Sequence, residues 1–307
     1  MSTGTSSAPS MSSSAIGSAG DSIDPAPWRT QFLDHISKLD SPTFVLSTLH
    51  PGVEDANASS SSSSTTPLPF FPRARTCVFR GMWTELPDNE RNPAPRNEKV
   101  YESELFTITT DVRMNKVPEI FASAPGSERN GGKESWKGSG GGGPVEAVFW
   151  VQPTMTQWRV QGEAYVIAPD IDGETAGVKV VKHALGSRMR VVKGKEGKEG
   201  DWSWSRELTA QFGNMSPGMR GSFRNPPPGS SVSIPPSDGL GLGQKVDDLH
   251  DEIARANFRV VVIKPEVVEQ VDLSDPERGR RWKYIFVGRD KNGDVKGEEW
   301  KVEELWP

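Results

Sequence analysis

Val145–Gln152 (VEAVFWVQ) and Trp158–Ala168 (WRVQGEAYVIA) carry the decision about fold class. Both are short runs rich in β-branched and aromatic residues, the composition of strands. Only Pro153-Thr154-Met155-Thr156 and Gln157 separate them, a hairpin-sized connection, so the two strands are antiparallel neighbours. Upstream, Thr43–Thr48 (TFVLST), Arg75–Trp83 (RTCVFRGMW) and Leu105–Val112 (LFTITTDV) read the same way. Downstream come Phe258–Ile263 (FRVVVI), Val267–Leu273, Trp282–Val287 (WKYIFV) and Glu299–Leu305 (EWKVEEL), the last two linked through Asp290–Asp294, where Asn292-Gly293 favours a tight turn. Helices are few. Trp28, Phe32 and Ile36 recur at four-residue steps after Pro27, with Leu33 and Leu39 beside them, and predict a short amphipathic helix. Trp202–Phe212 reads as a second helix with poor periodicity. Strands do not alternate with long helices, which argues against a doubly wound parallel sheet. The pattern predicts a mainly β protein: an antiparallel Greek-key barrel with a few peripheral helices.

Composition sets the domain plan. The chain has 307 residues, of which 34% are hydrophobic, and it holds 31 Gly and 25 Pro. The apolar shortage is concentrated in a Ser-rich start, residues 1–25, and in low-complexity stretches at about 50–68, 126–144 and 226–245. These lack the apolar surface to offset their ordering entropy. The expectation is a disordered tail over 1–25 and a single domain over 26–307, with the other three stretches as loop insertions. The blocks 26–49, 69–125, 145–225 and 246–307 hold enough chain for one core.

Several functions are excluded early. A single cysteine, Cys77, allows no internal disulfide framework and no thiolate metal cage, and fits a reducing compartment. His35, His50, His183 and His250 have no metal-ligand spacing, so no metal site is expected. No apolar run reaches the roughly 18 residues of a membrane span. The first 24 residues hold nine Ser and no Lys or Arg, unlike a secretory or mitochondrial leader, so a cytoplasmic protein is expected. The net charge of −5 argues against a nucleic-acid partner, which needs a basic surface, although ten tryptophans on a barrel would otherwise suit single strands. Trp150, Trp158, Trp282 and Trp300 fall on strands, where core or interface packing is the ordinary role. No G-x-S-x-G occurs, and Gly239-Leu-Gly-Leu-Gly243 follows prolines and Ser237 rather than a strand, so neither a serine-hydrolase elbow nor a dinucleotide fingerprint is present.

What remains is a set of basic and polar residues on or just beyond strands. Arg75-Thr-Cys-Val-Phe-Arg80 carries two arginines on an apolar strand. Thr109-Thr-Asp-Val-Arg-Met-Asn-Lys116 places two hydroxyls, Arg113, Asn115 and Lys116 where a strand runs into a short helix. Gln157 and Arg159 open the second hairpin strand. Hydroxyls, paired cations and helix-start amides suit a phosphate monoester. Spacing alone favours the blander reading, a solvated barrel rim with unrelated salt bridges, over a phosphate site. Arg75 and Arg80 differ in strand parity, so without a bulge they face opposite sides, and one pocket uses both only if two subunits share it.

At these residues the chain resembles the pyridoxamine 5′-phosphate oxidase-like proteins, FMN-binding split barrels, and within them a divergent branch rather than the oxidase itself. The similar stretches are Arg75–Arg80, Thr109–Lys116, Gln157-Trp-Arg-Val-Gln-Gly162, the closing Arg281-Trp-Lys-Tyr284 with Trp300 and Pro307, and, for the branch, Arg220–Gly229 (RGSFRNPPPG). The resemblance implies a homodimer holding FMN at the subunit interface. It implies that Arg75 and Arg80 line the flavin site, that Thr109 and Thr110 hydrogen-bond the cofactor, that Lys116 binds its phosphate, that Gln157 approaches the ring edge, and that Arg281 reaches the flavin from the C-terminal strands. The oxidase pattern has Arg where this chain has Asn115, and Arg113 is placed to supply that charge. It has Arg and His where this chain has Glu277 and Gly279, and a carboxylate there would repel a phosphorylated substrate. The implied function is an FMN-binding protein of the flavin-oxidoreductase type with an unassigned small-molecule substrate. The alternative is a non-catalytic flavin-binding or scaffold protein.

Overall fold

The structure, a computed structural model, describes residues 24–51, 70–127, 135–288 and 299–307. Most of the expected tail, most of the 50–68 insertion and the Asn292-Gly293 turn lie outside these residues. In chain order the elements are α1 (Arg29–Ile36), β1 (Thr43–Pro51), β2 (Phe70–Val78), β3 (Tyr101–Ser103), β4 (Phe106–Asp111), α2 (Lys116–Ala122), β5 (Gly140–Val151), β6 (Thr156–Ile167), α3 (Ala176–Gly186), β7 (Met189–Val191), α4 (Trp204–Gly213), α5 (Pro217–Gly221), α6 (Glu252–Asn257), β8 (Phe258–Asp272), β9 (Arg280–Phe286) and β10 (Trp300–Leu305).

The hairpin read from the sequence sits at the centre. β5 and β6 pair antiparallel from Gly140↔Val166 to Val151↔Thr156. Around them the main sheet runs β10-β9-β8-β6-β5-β1-β2, with β4 added on β8. β8 is shared along its length: its first half pairs β4, with Phe106 opposite Ile263, and its second half pairs β9, with Val267 opposite Ile285. The ladder does not close into a full ring. Beyond β2, the Arg80 N–H donates to the Thr107 carbonyl at 2.9 Å and the Thr107 N–H to the Gly81 carbonyl at 3.0 Å, so the sheet returns on itself only over this short seam. The result is the expected antiparallel split barrel.

Two cores flank the β6–β8 pair. Inside the barrel, α1 acts as a plug: Phe32 is fully buried and meets Phe149 and Trp158 edge-on at 5.2 and 5.5 Å, while Trp28 stacks on Phe106 at 5.7 Å. Burial of each such ring contributes about 2–3 kcal/mol. Outside, α3 and α4 cover the other face, where Ile167, Val260 and Val262 pack with Val178, Val181, Leu185, Leu208 and Phe212. This explains the unbroken run Val260–Ile263. Val261 and Ile263 face the barrel and Val260 and Val262 face the helices, so polar alternation is impossible.

The structure corrects four local expectations. The strand expected over Arg75–Trp83 runs instead over Phe70–Val78, and only Met82 beyond it makes isolated bridges. The strands expected at 258–263 and 267–273 are one strand; Pro265 is tolerated because a register shift opposite Gln161/Gly162 lets the ladder skip there. α3, capped by the Thr175 hydroxyl, was not anticipated. Finally, Gly140–Gly143, expected to end a loop insertion, begins β5. A Cβ on Gly143 would lie 2.3 Å from the Ile120 carbonyl oxygen, so glycine here permits α2 to lie on the strand rather than loosening the chain.

Candidate functional site

The candidate site is built on the β4–α2 turn. Along β4, Thr110 shares the barrel-facing side with Phe106 and Ile108, and strand alternation turns Thr109 to the opposite side. The chain then turns through Asp111–Asn115 and enters α2 at Lys116. Lys116 is 6% exposed, and its Nζ donates to the Thr110 Oγ1 at 2.9 Å. Among the described residues, no carboxylate forms an ion pair with it. Burial pushes the ammonium below the ordinary lysine range and Arg75 adds to the shift, while Cys77, Glu119 and Asp111 oppose it. The neighbouring Cys77 is buried too, and burial pushes its thiol up.

Arg80 is the second cation of this kind. Its backbone is tied to β4 at Thr107, three residues before Thr110. Its side chain makes no hydrogen bond or ion pair among the described residues, and its Nε is closed off from solvent without a partner. Desolvation lowers its pKa. A half-buried guanidinium and a buried ammonium that no carboxylate pairs among the described residues are costly unless an anion completes them. Lys116 reaches the Thr110 hydroxyl of β4, and the Arg80 backbone is tied to the same strand at Thr107, so the residues present fit a phosphate-bearing group.

The other expected cations are already engaged within the chain. Arg75 faces inward and donates to the Glu119 carboxylate at 2.5 Å and to the Thr48 hydroxyl; Glu119, 2% exposed, also meets His50 Nδ1 at 3.0 Å. Burial pushes the Glu119 carboxyl up, but Thr48, Arg75 and His50 together hold it below the ordinary value. Arg113 grips Asp111 with Nε and Nη2 at 2.9 and 2.6 Å and donates Nη1 to the Asn225 carbonyl at 3.0 Å. Arg281 pairs with Glu269. Asn115 stands exposed at the start of α2, and its side chain makes no capping bond. Gln157 lies half-buried on the outer sheet face, opposite Trp150 in the ladder, next to the Arg159–Glu146 pair at 2.6 Å. Glu277 is exposed in the β8–β9 loop.

One cation escaped the sequence reading. Arg259 is 5% exposed and lies directly across the ladder from Thr110. Its guanidinium donates to carbonyls of Ala256, Phe258 and Lys137, its Nε has no partner, and burial pushes its pKa down to about 10. The signal was a lone Arg in an otherwise apolar strand. Among the described residues, no cluster of His, Cys, Asp and Glu could hold a metal ion, and no helix is long and apolar enough to cross a membrane.

Comparisons with known proteins bear on the fold and on the segment that carries this turn. Residues 25–168 match the family model described as pyridoxamine 5′-phosphate oxidase, FMN-binding domain. That span contains β4, α2 and the β5–β6 hairpin, while β8, β9 and β10 lie beyond it. The uncharacterized protein YGR017W of Saccharomyces cerevisiae is 21% identical over 285 residues, covering 77% of this chain and 88% of its own. Among solved structures, a pyridoxamine 5′-phosphate oxidase-related, FMN-binding protein of Nostoc punctiforme matches with a TM-score of 0.50 at 16% identity, covering 93% of this chain and 100% of its own. The segment 25–168, which carries the Lys116 turn, the seam at Arg80 and the hairpin, is thus similar to the FMN-binding domain of pyridoxamine 5′-phosphate oxidase, and the fold that carries it is a split barrel.

Proposed function

We propose that Lys116 and Arg80, with the Thr110 hydroxyl between them in sequence, hold the phosphate of FMN at the seam of a homodimer, and that the protein is a flavin-dependent oxidoreductase. The observation that carries this reading is Lys116: a lysine 6% exposed, bonded to one hydroxyl and to no described carboxylate. A dianionic phosphate supplies the missing charge at a site already stripped of water. Thr109, Gln157 and Asn115 are proposed to meet the cofactor from the outer face, while Arg75 and Arg113 act one step back by fixing α2 and the turn and Arg281 acts one step back through its pair with Glu269. The homodimer is supported by an uncovered apolar patch on that face, where Val45 is 42% and Trp150 44% exposed beside Gln157. Bound FMN supplies two-electron redox chemistry, and the chain's share is to bind and orient it.

A second reading is a flavin-binding protein without turnover. It is favoured by Glu277, whose exposed carboxylate would repel a phosphorylated substrate. Reduction of the FMN-loaded protein by a nicotinamide nucleotide at steady state excludes it. The test of FMN binding itself is Thr110→Ala with Lys116→Ala. Loss of one charge-assisted contact and its hydroxyl partner weakens FMN binding by roughly 100-fold, read by quenching of flavin fluorescence, with the circular dichroism spectrum unchanged. Equal affinity in the double variant refutes the assignment.

A further inference from the structure

The geometry points to a second binding site, for an uncharged and largely apolar small molecule, in a cavity of about 610 Å³ beneath the loop that follows Phe223. Nothing about this site depends on the flavin reading, and its walls are mostly outside the family match of residues 25–168.

The size falls in the range of small-molecule pockets. The wall is mainly apolar and includes Met114, Phe223, the proline run from Pro226, Ile234 and Leu242. Ile234 and Leu242 are 63% and 81% exposed, so these apolar groups border the cavity without a protein partner. The one charged side chain in the lining is Asp111, and Arg113 takes both of its oxygens, at 2.9 and 2.6 Å. The hydroxyls nearby are spent locally: Ser222 donates to the Met219 carbonyl and Ser230 to the Pro227 carbonyl, each at 2.7 Å. An ionic ligand would therefore give up its water without meeting a counter-charge, whereas a neutral ring system would gain contact on several sides.

The cavity is also preformed. Arg113 and Asn257 hold the Asn225 and Phe223 carbonyls at 3.0 and 2.9 Å. Arg224 pairs with Asp251 at 2.7 Å, and its carbonyl accepts from the Gly241 N–H at 2.9 Å, closing the far end of the loop. Arg220 is 3% exposed and braces the base through the Val246 carbonyl at 2.8 Å. Consecutive prolines have fixed φ, so little order remains to be gained when a ligand enters.

Neutral 6-propionyl-2-dimethylaminonaphthalene, whose emission shifts to the blue in apolar surroundings, tests this on the full chain. The wild type gives a saturable blue shift. Ile234→Asp with Leu242→Asp, at positions too exposed to carry the fold, weakens binding at least about tenfold, equivalent to about 1.4 kcal/mol. Neutral 2-naphthol displaces the probe, and anionic 2-naphthoate does so at least about tenfold less well. No saturable binding, binding indifferent to the double substitution, or equal displacement by naphthoate each overturns the proposal. FMN affinity measured on the same samples separates the two readings, because the double substitution touches no residue assigned to the cofactor.

Discussion

Arg75 and Lys116 stand near the same thiol, Cys77, and belong to the same basic set, yet the fold treats them oppositely. Arg75 is closed off by Glu119 and Thr48, so its charge is spent on joining β1, β2 and α2. Lys116, on the same helix as Glu119, is more deeply buried and among the described residues bonds only to the Thr110 hydroxyl. Arg113 and Arg281 follow Arg75, whereas Arg80 follows Lys116. A paired cation is an internal strut that contributes to stability, whereas an unpaired one lowers the stability of the empty protein and returns that cost when an anion binds. The two kinds of cation are thus separable by experiment: substitutions around the first should move stability, and substitutions of the second should move ligand affinity.

The largest effect is expected at Glu119. Glu119→Ala leaves Arg75 without its counter-ion and lowers unfolding free energy by about 3 kcal/mol, measured by urea denaturation. The pH dependence follows in sign. The Glu119 carboxyl sits below its ordinary value in the folded state, so its contribution is complete above the unfolded value and is lost as pH falls through the lowered one. The stability gap between wild type and Glu119→Gln should therefore shrink on acidification; a gap that widens contradicts the pairing. Next comes Gly143→Ala, whose methyl group meets the Ile120 carbonyl and displaces α2. It is expected to cost about 2 kcal/mol and, because Lys116 rides on α2, to weaken FMN binding as well. An effect on stability with no change in affinity would uncouple the helix from the site. The smallest is Arg80→Gln, which should weaken FMN binding about tenfold while leaving the urea midpoint of the empty protein unchanged or slightly raised. A lowered midpoint would move Arg80 into the class of Arg75.

Much of the fold was legible because hairpins are local. VEAVFWVQ and WRVQGEAYVIA could do little but pair across four or five residues, and the period of Trp28, Phe32 and Ile36 announced the plug helix. The misreadings share one cause. Gly140–Gly143 looks flexible when composition is the only guide, but its role is set by α2, which arrives from a different part of the chain. The run from Val260 to Ile263 gave no face preference because two cores compete for it. Arg259 passed unnoticed for the same reason, since its place opposite Thr110 exists only once β4 pairs β8.

The sequence by itself determined the antiparallel strands, the plug helix and the roster of cations and hydroxyls that a phosphate would need, because periodicity and residue chemistry are properties of neighbours along the chain. Only the tertiary structure decided which of those cations remain unpaired. That depends on carboxylates such as Glu119, Asp111 and Glu269 reaching them, and, where the partner lies 44 residues away as for Arg75 and Glu119, on folding alone.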